Sequence, residues 1–120
     1  MANKKYSDNI SMDRQKIISA VPDEIKGNYI LRRKEGGKDK ITYVGRSDTN
    51  LRERLLQHLH DAFTYTSFYW MKASSEKEAF EQECRDYHHY KPIDNKYHPD
   101  RPEGTSYPCP CCLHFDDNRD

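Results

Sequence analysis

No stretch of this sequence stays apolar long enough to cross a membrane. Residues 1–20 hold neither an apolar run nor a small-residue cleavage signal, so no secretory peptide is expected. There is no internal repeat and no low-complexity block, which sets aside solenoids and fibrous chains. There is also no net charge: 20 Lys and Arg balance 20 Asp and Glu, so a uniformly basic surface for nucleic acid is excluded. Apolar residues are scarce, at 34% against 33% charged. A chain of 120 residues with so few of them forms one domain around one modest core. Nine tyrosines, four phenylalanines and one tryptophan are nevertheless too many aromatics for a solvated coil.

The charge that is present is unevenly spread. Residues 26–54 carry Lys26, Arg32, Arg33, Lys34, Lys38, Lys40, Arg46, Arg52 and Arg54, while the acids Glu76, Glu78, Glu81, Glu83, Asp116, Asp117 and Asp120 come later. A locally basic face on a neutral chain is therefore expected. The four cysteines are Cys84, Cys109, Cys111 and Cys112. Three of them fall within four positions, poor geometry for disulfides and good geometry for a metal, which suits a reducing cytoplasm.

Periodicity and punctuation give the elements. Residues 1–9 are polar and expected to fray. Ser11 can cap a helix through about Val21, stopped by Pro22. Residues 28–32 and 40–44 are rich in β-branched and aromatic side chains and read as two strands turned at Gly36-Gly37, with a connection longer than a tight turn. Thr49 or Asn50 caps a second helix, on which Leu51, Leu55, Leu56, Leu59 and Phe63 recur at helical spacing. Residues 67–72 read as a third strand. Ser74 or Ser75 caps a third helix to about Tyr90, ended by Pro92. The expectation is an α/β chain of the α+β kind: a three-stranded, mainly antiparallel sheet flanked by helices, then a cysteine-bearing tail. Residues 1–24 form an N-terminal extension and helix, 25–95 the core and 96–120 a proline- and cysteine-rich tail, within a single domain.

Hydrolysis of a phosphodiester needs a deprotonated water, stabilisation of charge on phosphorus and a cation at the leaving oxygen. One carboxylate and a few waters suffice to hold Mg²⁺. Tyr29 and Tyr43 lie on the two paired strands, Arg46 follows Gly45 at the end of the second, and Arg54 and His58 stand four apart on one helix face. Glu83 sits on the third helix. The bland reading of each is ordinary: sheet aromatics, a solvated helix face, one more surface acid.

Their order is not ordinary. Gly27-Asn28-Tyr29 followed by Tyr43-Val44-Gly45 resembles the two name-giving motifs of the GIY-YIG endonucleases. Arg54 through His58 is similar to that family's Arg-x-x-x-His helix. Glu78-Ala79, Glu83, Lys91-Pro92 and Asn95 follow as its later segment does. The resemblance covers roughly residues 25–95, and its spacing is nearest to the repair endonuclease branch. It implies that Glu83 ligates a divalent metal, Mg²⁺ or Mn²⁺. Tyr43 or Tyr29 then serves with a water as general base or orients the nucleophile, helped by a nearby cation such as Arg46. Arg54 clamps the scissile phosphate, His58 shuttles or orients a proton, and Asn95 is a supporting hydrogen bonder.

The tail lies outside that resemblance. Cys109 and Cys112 form a Cys-x-x-Cys, half of a common zinc site, and Cys84 and His88 stand one turn apart on the third helix. Cys84, His88, Cys109 and Cys112 together make a Cys₃His set for a structural Zn²⁺, with His98, Cys111 and His114 as rival ligands. Such an ion would pin the tail to the core.

The functional expectation is a metal-dependent nuclease acting on nucleic acid, DNA before RNA, with no membrane partner. The rivals are a zinc-stabilised nucleic-acid-binding module that cuts nothing and a protein-interaction domain. Oligomeric state, pathway and the choice of DNA site are not written in the sequence.

Overall fold

The computed structural model describes residues 5–115. The first four residues of the stretch expected to fray, and Asp116, Asp117 and Asp120, lie outside the described residues. The chain runs β1 (Ile10–Ser11), α1 (Arg14–Ala20), β2 (Gly27–Glu35), β3 (Lys38–Ser47), α2 (Leu51–Gln57), a 3₁₀ turn (His58–His60), β4 (Ser67–Lys72) and α3 (Glu76–Tyr90). The strands form one antiparallel sheet in the order β1-β4-β2-β3.

The α+β class is as expected, but the sheet has four strands. β1 pairs with β4 through Ile10↔Phe68 and Ser11↔Ser67. Two residues are too few to show a period of two. Because Ser11 is held in that pairing, Asp13 rather than Ser11 caps α1, accepting from the Lys16 N–H at 3.2 Å. The stretch before β1 is also tied down. The Ser7 N–H donates to the Trp70 carbonyl at 2.8 Å, and the Tyr6 hydroxyl donates to Asp86.

The β2–β3 hairpin is tighter than expected. The strands extend to Glu35↔Lys38, leaving only Gly36 and Gly37 in the turn, at φ +64° and +84°. Two successive positive φ values are the geometry of a type I′ turn, which two glycines adopt at little cost. Asn50 caps α2 by accepting from the Glu53 N–H, and Ser75 caps α3 by accepting from the Glu78 N–H. Lys91, in the left-handed region at φ +48°, ends α3 just before Pro92.

Side-chain alternation separates two faces. Tyr29, Leu31 and Phe68 turn toward α1 and α2 and pack with Ile17, Val21, Leu51 and Leu55, all at most 1% exposed. Burying each leucine contributes about 1.5–3 kcal/mol. The opposite face carries α3: the Asn28 amide donates to the Ala79 carbonyl at 2.8 Å, fixing that helix to the sheet. The single long second helix expected through Phe63 is instead cut at Gln57, so Leu59 and Phe63 are exposed. Phe63 lies flat beneath the Arg33 guanidinium, 4.1 Å from its ring centroid.

β3 is an edge strand, and the segment after α3 covers its open side. Asn95 accepts from the Val44 N–H at 3.0 Å and donates to the Val44 carbonyl at 2.9 Å, while the Asp94 N–H donates to the Thr42 carbonyl.

Candidate active site

Two glycines make room for the site. In register, Tyr29 lies opposite Gly45. A Cβ at Gly45 would fall 2.5 Å from the Tyr29 hydroxyl oxygen and 2.9 Å from Cε1. A Cβ at Gly27 would meet the Met71 carbonyl and stand 2.8 Å from Leu51 Cδ2. Only glycine lets the Tyr29 ring lie across β3 and α2 close on β2.

Tyr29, 1% exposed, bonds His58 Nε2 at 2.6 Å, and His58 Nδ1 bonds Asp61. A carboxylate acceptor at Nδ1 holds the proton there, so Nε2 accepts from the tyrosine hydroxyl. The result is a Tyr–His–Asp chain running from the core to Asp61, whose side chain reaches solvent. Tyr43 stacks beside Tyr29 (ring centroids 6.1 Å, 19° between planes) and meets His58 edge-on at 4.9 Å.

A cleft of about 430 Å³ opens at the end of β3, lined by Arg46, Asp48, Arg54, Glu83 and Asp100 with Ser47 and Thr49. Arg54 comes from α2 and Glu83 from α3, helices on opposite faces of the sheet, and both side chains line this cleft. Glu83 accepts from Arg46 Nη1 at 2.6 Å, and Arg46 also holds Asp48 at 2.9 Å. Among the described residues the Arg54 side chain makes no hydrogen bond or ion pair, whereas Arg33 is clamped by Asp94 and Arg52 donates to the Val21 and Ile18 carbonyls at the end of α1. Arg32, Arg33, Arg46 and Arg52 are thus engaged within the fold, and Arg54 is the arginine of the basic stretch left for a ligand.

Burial decides most of the electrostatics. It pushes the Glu83 carboxyl up to about 7 even though the Arg46 charge and hydrogen bond pull the other way. Burial raises both phenols: Tyr29 well above its ordinary value, Tyr43 less, with the Glu83 charge adding to each and Arg54 opposing it. This corrects the expectation that Arg46 favours an ionised tyrosine. Arg46 is engaged with Glu83 and Asp48, the cation felt by the phenols is Arg54, and the phenols stay protonated. Burial also lowers His58, and the Asp61 hydrogen bond and charge recover only part of the drop.

A pH prediction follows for His58. Its folded value lies below the ordinary value near 6.5, so the unfolded chain binds the proton first as pH falls. The stability it contributes is present above about 6.5 and is lost as pH drops through the folded value. The ring resonances in NMR are expected to remain those of the neutral, Nδ1-protonated form at pH 6.5. A half-protonated ring at or above that pH contradicts the Tyr29–His58–Asp61 arrangement.

The structure therefore brings Arg46, Arg54 and Glu83 into one cleft and sets Tyr29, Tyr43 and His58 beside it, with Asn95 bracing the strand that carries Tyr43 and Arg46. Glu81 takes no part in the cleft wall. Sequence reasoning missed Asp61, Asp48 and Asp100. Asp61 stands three residues after His58, a helical-neighbour spacing that could have pointed to it, but Asp100 has no local signal.

A second cluster lies in the tail. Ligand atoms of His88, His98, Cys109 and Cys112 all fall within 4.8 Å of one another, a group that could hold a metal ion. His98 thus takes the place expected for Cys84. Cys84 is fully buried on α3 and packs with Phe80 and Cys109 in a small apolar cluster, outside the group of four converging ligand atoms. Cys111 is exposed, and His114 stacks on His98 at 4.1 Å. Among the described residues no helix is long and apolar enough to cross a membrane.

Comparison with models of known protein families, with curated proteins and with solved structures gives no match to this chain.

Proposed function

We propose that the protein is a nuclease of the GIY-YIG type that hydrolyses phosphodiester bonds in nucleic acid, DNA in particular. One observation carries this reading: Arg54 and Glu83, delivered by helices on opposite faces of the sheet, line one cleft beside a Tyr–His–Asp hydrogen-bond chain.

The residues divide the chemistry. Arg54, with no partner among the described residues and a planar donor fork, binds the non-bridging oxygens of the scissile phosphate. Tyr43, half-buried where Tyr29 is fully buried, orients the attacking water. The neutral His58 accepts the proton by way of Tyr29, and Asp61 stabilises the imidazolium that forms. Arg46 aims the Glu83 carboxylate into the cleft. Glu83, backed by Asp48 and Asp100 in the same cleft, suits Mg²⁺ or Mn²⁺, which needs one or two carboxylates and keeps several waters. When bound there the ion stabilises charge on the leaving oxygen. The separate His88–His98–Cys109–Cys112 cluster is assigned to Zn²⁺.

Supercoiled plasmid incubated with the protein tests the reading. Mg²⁺ or Mn²⁺ is expected to give nicked and linear products, EDTA to stop them, and Arg54→Ala to slow them on the order of a hundredfold. Retarded plasmid that stays uncut in every metal supports a binding module instead.

A further inference from the structure

Three distances within the tail cluster match those around a tetrahedral zinc ion. With Zn–N of about 2.0–2.1 Å and Zn–S of about 2.3 Å at tetrahedral angles, two ligand nitrogens stand about 3.3 Å apart and a nitrogen and a sulfur about 3.6 Å. His88 Nε2 and His98 Nε2 are 3.3 Å apart, Cys109 Sγ and His88 Nε2 3.6 Å, and Cys112 Sγ and His98 Nε2 3.3 Å. The surroundings prepare the same atoms. The His98 Nδ1–H donates to the Pro99 carbonyl at 2.9 Å, which leaves the Nε2 lone pair free to bind. The Cys111 backbone N–H points at Cys109 Sγ from 3.4 Å, a contact that favours a thiolate. Two imidazoles and two thiolates suit zinc rather than Mg²⁺ or Ca²⁺, and four protein ligands leave no open position for a substrate.

The ligands also tie together parts of the chain that serve the cleft. His88 is near the end of α3, five residues beyond Glu83. His98 lies three residues after Asn95, which braces β3, and two before Asp100, which lines the cleft. Between residues 91 and 112 there is no helix or strand; Asp94 and Asn95 tie the start of the segment to β3, and Cys109 packs against α3 near its end.

We infer that His88, His98, Cys109 and Cys112 bind one structural Zn²⁺, and that this ion clamps the segment between α3 and Cys112 so that Asp100 stands in the wall of the cleft. The second half rests on the nuclease reading of that cleft; the first does not.

The test uses the full chain. Purified protein is expected to carry about one zinc per chain. Co²⁺ exchanged into the site is expected to give the intense visible bands of a tetrahedral ion together with thiolate-to-cobalt absorption. His98→Ala and Cys112→Ser each should lower zinc affinity at least about tenfold, whereas Cys84→Ala, Cys111→Ser and His114→Ala should retain the metal. Removing zinc should raise amide exchange through residues 92–112 and leave β2, β3 and β4 protected. Zinc loss in Cys84→Ala equal to that in His98→Ala, a Co²⁺ spectrum without thiolate absorption, or substoichiometric zinc would overturn the ligand set. Unchanged exchange near Asp100 after zinc removal would overturn the clamp. Full zinc and the expected exchange with no plasmid cleavage would leave the metal site standing and remove only the nuclease reading.

Discussion

Replacing Glu83 by glutamine is expected to slow plasmid cleavage on the order of a thousandfold while leaving the protein as stable as its parent at pH 8. The two halves of that result separate catalysis from folding. Glu83 is 9% exposed and its carboxyl is pushed up to about 7 by burial, against the pull of Arg46. An acid whose folded value is raised contributes its full stability below the unfolded value of about 4.3 and loses it as pH rises through about 7. At pH 8 the fold holds an unwelcome charge that glutamine does not carry, and Arg46 retains Asp48 as its partner. Glutamine cannot replace the negative charge that a divalent ion requires. For the same reason the parent's cleavage rate is expected to climb as pH passes through about 7 at limiting Mg²⁺, where proton and ion compete for one carboxylate. Thermal denaturation at pH 8 and initial nicking rates from pH 5.5 to 8.5 check both halves. A marked drop in Tm, or cleavage by Glu83→Gln within a few-fold of the parent, would show that Glu83 is a structural acid.

Gly45→Ala should be strongly damaging to the hairpin. The new Cβ would overlap the Tyr29 ring, which has no space to retreat because it is 1% exposed and bonded to His58 at 2.6 Å. Overpacking costs about 1–3 kcal/mol and a lost internal hydrogen bond about another 1 kcal/mol. For a domain of this size the sum lowers Tm by roughly 10 °C or more. Cleavage should fall as well, by on the order of a hundredfold, since a displaced Tyr29 breaks the path from Tyr43 to His58. Parent-like Tm and activity would mean that the tyrosine packing described for this hairpin is not the one the protein uses in solution.

The sequence disclosed the parts of the fold that have local periods or punctuation. Residues 67–72 match β4 residue for residue, the second of each pair of cap candidates (Asn50 of Thr49 and Asn50, Ser75 of Ser74 and Ser75) caps its helix, and Gly36-Gly37 turns the hairpin. What it hid depends on distant pairing. β1 is two residues long and exists because β4 offers an edge. The second helix looked longer than it is because Leu59 and Phe63 keep the helical spacing, yet the chain tightens to 3₁₀ at His58 and leaves both exposed.

The candidate site divides the same way. Arg54 and His58 stand four apart in sequence, so spacing related them, although His58 falls in the 3₁₀ turn, and Asp61 follows within reach. Glu83 is reached from motif order alone, and no local rule reveals that it lines the same cleft as Arg54. The metal cluster shows the limit of spacing arguments: Cys84 and His88 are one turn apart on α3, but Cys84 turns into an apolar cluster beside Phe80, and the fourth ligand atom comes from His98 in a loop without periodicity.

The central claim is that groups from the two faces of the sheet act on one phosphate, and single-turnover cleavage by the parent, Arg54→Ala, Glu83→Gln and the double variant tests it most directly. Residues that work as a unit are strongly non-additive, so the double variant should be about as slow as the slower single one. Losses that multiply, or a parent that cuts nothing in saturating Mg²⁺ or Mn²⁺, would contradict it.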